Sequence, residues 1–148
     1  MSEALSPAVT EVRAVLDAWI DLVKKNDLDA VMALYSNDIR SFDAVLVQEI
    51  KGKEAYLEHW KKCMEMCAGG ATEFIMERRD ESIEAEGDLA FASYILRCGM
   101  RKEDGTEEAG LMRATFCLKR LGDQWLIVHD HHSSPFNPLD NTVIMASD

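Results

Sequence analysis

Apolar residues in the first part of the chain recur every three or four positions. Val9, Val12, Leu16, Trp19, Ile20 and Val23 fall on one face of a helix. Ser6-Pro7 opens it, because serine can cap free N–H groups and proline fits the first turn. Lys24 and Lys25 suit its negative end, and Asn26 closes it. Asp27 starts a short second helix carrying Leu28, Val31, Met32 and Leu34. Ile39 to Asp43 reads as a short strand, and Ala44 to Ile50 as a loop or a second short strand. Gly52 breaks the chain before a third helix, Lys53 to Cys67, whose apolar face carries Tyr56, Leu57, Trp60, Met64 and Cys67. Ala68-Gly69-Gly70 ends it.

Beyond that point the period changes to two. Thr72 to Glu84, Asp88 to Arg101, Ala109 to Leu121 and Gln124 to Ser133 read as strands. Glu86-Gly87-Asp88, Glu103-Asp104-Gly105-Thr106 and Gly122-Asp123 supply the glycines and acids of tight turns. Successive strands with short turns predict an antiparallel meander. Helices first and a sheet afterwards predict an α+β fold in a single domain, 1–148. The tail after Pro135 is expected to be irregular or an added edge. In Leu89 to Met100 both faces are apolar. Helices can cover only one face, so a homodimer packed sheet to sheet is expected.

The composition narrows the partners. A net charge of −11 over 148 residues repels phosphate backbones and anionic membranes, so neither nucleic acid nor membrane is expected as a partner. No run reaches the roughly 18 apolar residues of a membrane helix. Met1 to Thr10 lacks a secretory pattern, so the expected location is cytoplasmic. Cys63, Cys67, Cys98 and Cys117 match no zinc ribbon or redox pair, and read as thiols serving as small apolar core residues.

The densest candidate chemistry lies in Trp125 to Ser133. Strict alternation puts Trp125, Ile127, His129, His131 and Ser133 on one face. Leu126, Val128, Asp130 and His132 fall on the other. His129 and His131 would then stand about 6.5–7 Å apart between Cα atoms, suited to acid–base work or polar contact with a ligand near neutral pH. His132 is expected at the surface or a dimer face. The pair would need a third ligand to hold a metal, with Asp43 the one candidate, so no metal and no cofactor is expected. Asp43 closes the first strand and could be a base if buried, or a simple loop aspartate. Arg113, and more weakly Arg97, could clamp a carboxylate or carbonyl, or pair with surface acids. Tyr56 and Trp60 read as core or pocket wall. His59, Cys63 and Cys67, four residues apart, read as ordinary packing. No phosphate loop, nucleophile elbow or dinucleotide fingerprint is present.

Phe42-Asp43, Gly52-Lys53-Glu54-Ala55 with Trp60, and Gly122-Asp123-Gln124-Trp125 through His129, His131 and Ser133-Ser134-Pro135 carry a resemblance. The chain is identified as a member of the nuclear transport factor two-like (cystatin-like cone) superfamily, in its SnoaL-like and ketosteroid-isomerase-like branch. Its last strand is also similar to the association domain of calcium/calmodulin-dependent protein kinase type two. The resemblance implies three N-terminal helices packed in the concave face of a strongly curved, mainly antiparallel sheet, with an internal pocket and dimers. It implies Asp43 at the position of a proton-shuttling base, with His129 and His131 facing the cavity. The isomerase's tyrosine-plus-aspartate oxyanion pair has no counterpart, so steroid isomerisation is not implied. Three readings follow. One is an enzyme for isomerisation, dehydration or aldol-type cyclisation of a carbonyl-containing or polycyclic molecule, with Asp43 as base, His129 or His131 as acid and Arg113 as anchor. The second is a non-catalytic dimer with a pocket for a small organic acid. The third is a structural homodimer with a dry core.

Overall fold

Helix α1, Pro7–Lys24, buries Val9, Val12, Leu16, Trp19 and Val23, all members of the stripe expected from the sequence. The structure is a computed structural model that describes residues 6–67 and 71–145. The Cys67 and Thr72 side chains, the Ala68-Gly69-Gly70 helix stop and Met1 to Leu5 lie outside the described residues. Asn26 turns left-handed, with φ 57°, and α1 stops there. The Asp27 carboxylate accepts the Ala30 N–H at 3.3 Å and so caps α2, Leu28–Met32. Helix α3 spans Lys53–Cys67.

The strands are β1 (Tyr35–Phe42), β2 (Ile50–Lys51), β3 (Ala71–Glu86), β4 (Leu89–Lys102), β5 (Glu107–Leu121) and β6 (Gln124–Ser133). They form one sheet in the order β2-β1-β6-β5-β4-β3. From β3 to β6 it is the expected meander, every pair antiparallel. Strand β1 departs from the meander. It begins at Tyr35 rather than Ile39 and lies parallel to β6, so the sheet is mixed. Residues between Phe42 and Ile50 are a loop of bends.

Two of the sheet's register shifts bear on its shape. Pairing of β3 with β4 shifts between Arg79 and Ser82, where Asp80 has φ 56°. In the other, Cys117 faces His129 while Leu118 faces Ile127, so Val128 is an extra residue in β6. Bulges of this kind kink a strand and raise its twist. The concave face holds Ala90, Ala92, Tyr94, Leu96, Ala114, Phe116 and Leu118, all buried, against α1 and α3. At Gly99 on β4 a Cβ would stand 2.0 Å from the Glu108 carbonyl oxygen, so only glycine allows that approach of β5.

Candidate functional site

Val128 decides which histidines face the core. Trp125 and Ile127 point inward, and unbroken alternation would send His129 and His131 after them. The bulge consumes one residue and inverts the parity. Asp130 and His132 point inward, 0% and 5% exposed, while His131 is exposed and His129 half-buried. The expectation for all three histidines is therefore corrected. His129 and His131 stand on the convex side, flanking the Phe42 ring with centroids 4.9 and 5.6 Å away. His129 Nδ1 lies 2.7 Å from the Arg40 carbonyl oxygen. His132 stacks on Trp19 at 5.7 Å and meets Phe116 edge to face at 5.4 Å.

Asp130 anchors a buried polar cluster. Tyr35 and Tyr56 donate to its Oδ2 at 2.8 and 2.9 Å, and Ser41 donates to Oδ1 at 2.5 Å. The Trp19 indole N–H donates to the Tyr35 oxygen at 2.9 Å. A carboxylate with three hydroxyl donors is tolerable in the interior. Burial, followed by the charge of Asp130, pushes the Tyr35 and Tyr56 hydroxyls well above their ordinary value. Both therefore stay protonated donors.

Beside this cluster lies a cavity of about 220 Å³. Its walls are mostly apolar: Trp19, Trp60, Met64, Phe74, Met76, Leu96, Met100 and Met112. Asp43, His59, Cys63, Cys98 and His132 also face it. Asp43 follows β1 directly, and its Oδ2 lies 2.5 Å from His59 Nε2 on α3. The His59 side chain is 8% exposed and that of Asp43 21%. Cys63, one turn further along α3, brings its Sγ within 3.5 Å of the same His59 nitrogen. These three ligand atoms all lie within 4.8 Å of one another, so the set could hold a metal ion. His132 Nε2 is buried and finds no hydrogen-bond partner among the described residues. Burial pushes the Cys98 thiol up to about 11. Asp43, Ala44 and His132 also line an outer groove with Arg40, Glu49, His131 and Ser134, so the cavity and the groove meet at Asp43.

The remaining candidates divide. Trp60 lines the cavity as expected. Tyr56 is buried against Asp130 and its hydroxyl is occupied there. Trp125 is buried, but its N–H donates to Glu11 at 3.2 Å and it does not line the cavity. Arg113 is exposed on the convex side, opposite Ser133, because residues of odd number in β5 point outward. It cannot anchor a ligand inside. Arg97 shares that side and pairs with Glu77 and Glu107 at 3.2 and 2.9 Å. His59, expected as packing, and His132, expected at the surface or a dimer face, are the two histidines that line the cavity. The signal for His59 was its four-residue spacing with Cys63, read as packing. For His132 it was the run Leu126-Ile127-Val128, whose three successive apolar residues fit no strict alternation.

Comparison with known proteins agrees with the fold. A family model described as a SnoaL-like domain matches residues 12–137. A nuclear transport factor two-like protein of unknown function from Pseudomonas putida is 35% identical over 100% of this chain and 99% of its own, with a TM-score of 0.87. A candidate calcium/calmodulin-dependent protein kinase II association domain from Xanthomonas campestris is 18% identical, covering 90% and 91%, with a TM-score of 0.72. A candidate dehydratase of the same superfamily from Streptomyces avermitilis is 15% identical, covering 88% and 97%, with a TM-score of 0.73. The latter two likenesses concern the fold alone. No curated protein matches the chain. No helix among the described residues is long and apolar enough to cross a membrane.

Proposed function

This chain belongs to the SnoaL-like family, and from that premise we propose that it binds a small carbonyl compound in the Asp43–His59 cavity and transfers a proton on it. The observation that carries the reading is the carboxylate–imidazole contact of 2.5 Å at the wall of a mostly apolar cavity. The apolar walls exclude water from a carbonyl held against that carboxylate. Asp43 takes a proton from the carbon beside the carbonyl, and His59 orients it. His132 lines the same space, and its Nε2 has no hydrogen-bond partner among the described residues, which suits it to hydrogen-bond the carbonyl oxygen as charge develops there. Isomerisation, dehydration and aldol-type cyclisation all begin with this step. The likeness in fold to a candidate dehydratase is compatible with the second.

Size and charge limit the substrate. A cavity of about 220 Å³ is smaller than the roughly 300–1,000 Å³ of sites for drug-sized ligands. A single ring or short chain fits better than a polycyclic molecule. The described residues lining it include neither lysine nor arginine, which favours a neutral carbonyl over a carboxylate. Trp19 and Trp60 in the wall supply a fluorescence signal for titrating small ketones and enones. In heavy water with chelator present, the protein should speed exchange of the proton next to the carbonyl. Asp43→Asn should retain binding and lose the exchange. Exchange that survives in Asp43→Asn overturns the role of Asp43. Binding without exchange in the unaltered protein favours a non-catalytic binding module.

A homodimer belongs to the same proposal. Leu89 and Phe91 are 56% and 50% exposed on the convex side of β4, an apolar surface that a second copy would cover. The likeness in fold to an association domain is compatible with assembly. A monomer mass by light scattering at micromolar concentration removes the dimer.

A further inference from the structure

The Asp43, His59 and Cys63 side chains converge on one point rather than forming a chain. In a proton relay the imidazole uses its two nitrogens, one toward each neighbour. Here Asp43 Oδ2 and Cys63 Sγ both approach the same atom, His59 Nε2, at 2.5 and 3.5 Å. Two partners at one nitrogen do not make a relay through the ring. Three ligand atoms gathered within 4.8 Å of one another are, however, what a metal ion requires. We propose that these residues form a binding site for a divalent transition metal of the zinc type, with an open position toward the cavity.

The donor set selects the metal. Imidazole, thiolate and carboxylate together suit zinc or cobalt rather than calcium or magnesium, which prefer all-oxygen sites. Zinc bonds of roughly 2.0–2.3 Å at tetrahedral angles separate ligand atoms by about 3.3–3.6 Å. The sulfur–nitrogen distance already falls in that range. The oxygen–nitrogen distance must open by somewhat under ~1 Å, a movement that the loop of bends after Phe42 can accommodate. Helix α3 fixes the other two, since residues four apart lie on one face. Three protein ligands leave the fourth position of a tetrahedron for water or substrate. That position opens on the cavity, which Asp43, His59 and Cys63 all line. His132, 5% exposed and with no partner for Nε2 among the described residues, lines the same space and gives a fourth-position ligand a hydrogen-bonding neighbour. On binding, the Cys63 thiol gives its proton to solvent and the metal replaces it.

The site does not depend on the proton-transfer reading. Metal and proton compete for the Asp43 lone pairs, so a loaded protein has Asp43 as a ligand and not as a base. The test uses the full-length protein, chelated and then titrated with cobalt(II). A thiolate-to-cobalt charge-transfer band in the near ultraviolet, with visible bands of tetrahedral intensity, is expected, and zinc should abolish both. Cys63→Ser is close to isosteric and should remove the charge-transfer band. Its loss of zinc affinity should exceed the roughly 10-fold that even an outer-sphere partner costs. Asp43→Asn should weaken binding while keeping the band. Circular dichroism confirms that each variant is folded. No charge-transfer band in the unaltered protein overturns the proposal, and so does a band that persists in Cys63→Ser. Carbonyl binding by the chelated protein, read from tryptophan fluorescence, is scored separately, so either proposal can fail while the other stands.

Discussion

Tyr56 and His59 lie within one turn of each other on α3, and each reaches a carboxylate. The two carboxylates live differently. Asp130 is 0% exposed and receives three hydroxyl hydrogen bonds. The Asp43 side chain is 21% exposed, contacts one imidazole and borders open space. The chain itself satisfies the first, which therefore holds the fold together. The second has lone pairs to spare beside a cavity, which is the condition for acting on something else. The difference lies in coordination rather than in charge or residue type.

The largest effect should come from Asp130→Ala, which strands three buried hydroxyls. At ~1–3 kcal/mol for each unpaired group, part of it relieved by relaxation, the loss should be about 3–5 kcal/mol in urea denaturation. Asp43→Asn should cost under ~1 kcal/mol by the same measurement. Equal costs would break the contrast. Tyr35→Phe removes one donor to Asp130 and the acceptor of Trp19, for about 1–3 kcal/mol.

Alkaline pH probes the same cluster. The Tyr35 and Tyr56 hydroxyls are held well above their ordinary value by burial and then by Asp130. The unfolded chain releases their protons from about pH 10 upward while the folded chain keeps them. Their contribution to stability is therefore complete below that pH and falls as pH rises through it. Denaturation midpoints between pH 8 and 11 should show the decline, less steeply in Tyr35→Phe.

A finer test separates the histidines. His132→Ala should weaken carbonyl binding about 10-fold, as expected for one lost hydrogen bond of ~1.4 kcal/mol. His131→Ala should leave it unchanged in the fluorescence titration. The smallest effect belongs to Arg113→Ala, within ~0.5 kcal/mol of the parent in stability and neutral for binding.

Much of the frame was legible before any coordinates. Helix ends could be read because caps and breakers are local: Pro7, Asp27 and Gly52 act on their own neighbours. Strands β3 to β6 could be read because tight turns dictate antiparallel neighbours. The parallel pairing of β1 with β6 has no local signature, since it depends on which strand the curled sheet leaves unpaired. The site was legible only in part. Asp43 after Phe42 read by position as a loop aspartate, and only the family resemblance pointed to it as a base. The histidines were assigned by alternation, and alternation counts residues without knowing that Val128 is skipped. Arg113 was a candidate because alternation gave it a short-polar face with Thr115 and Cys117, and that face of β5 points outward. His59 was visible as a spacing, and only the path of the loop after Phe42, bringing Asp43 to it, distinguishes a site from packing.

The seam between β1 and β6 sets an order of assembly. Ser41 and Asp130 meet across it with a separation of 89 residues, and pairings so distant form late because long loops must close first. Asp43 leaves one side of the seam and His132 belongs to the other. The helices and the β3–β4–β5 meander can settle from near neighbours, whereas the cavity wall waits for the last strand. A growing chain therefore lacks the His132 wall of the cavity until β6 has emerged. Any truncation before Asp130 removes the shared acceptor of Tyr35, Tyr56 and Ser41, so the buried cluster closes only with the last strand.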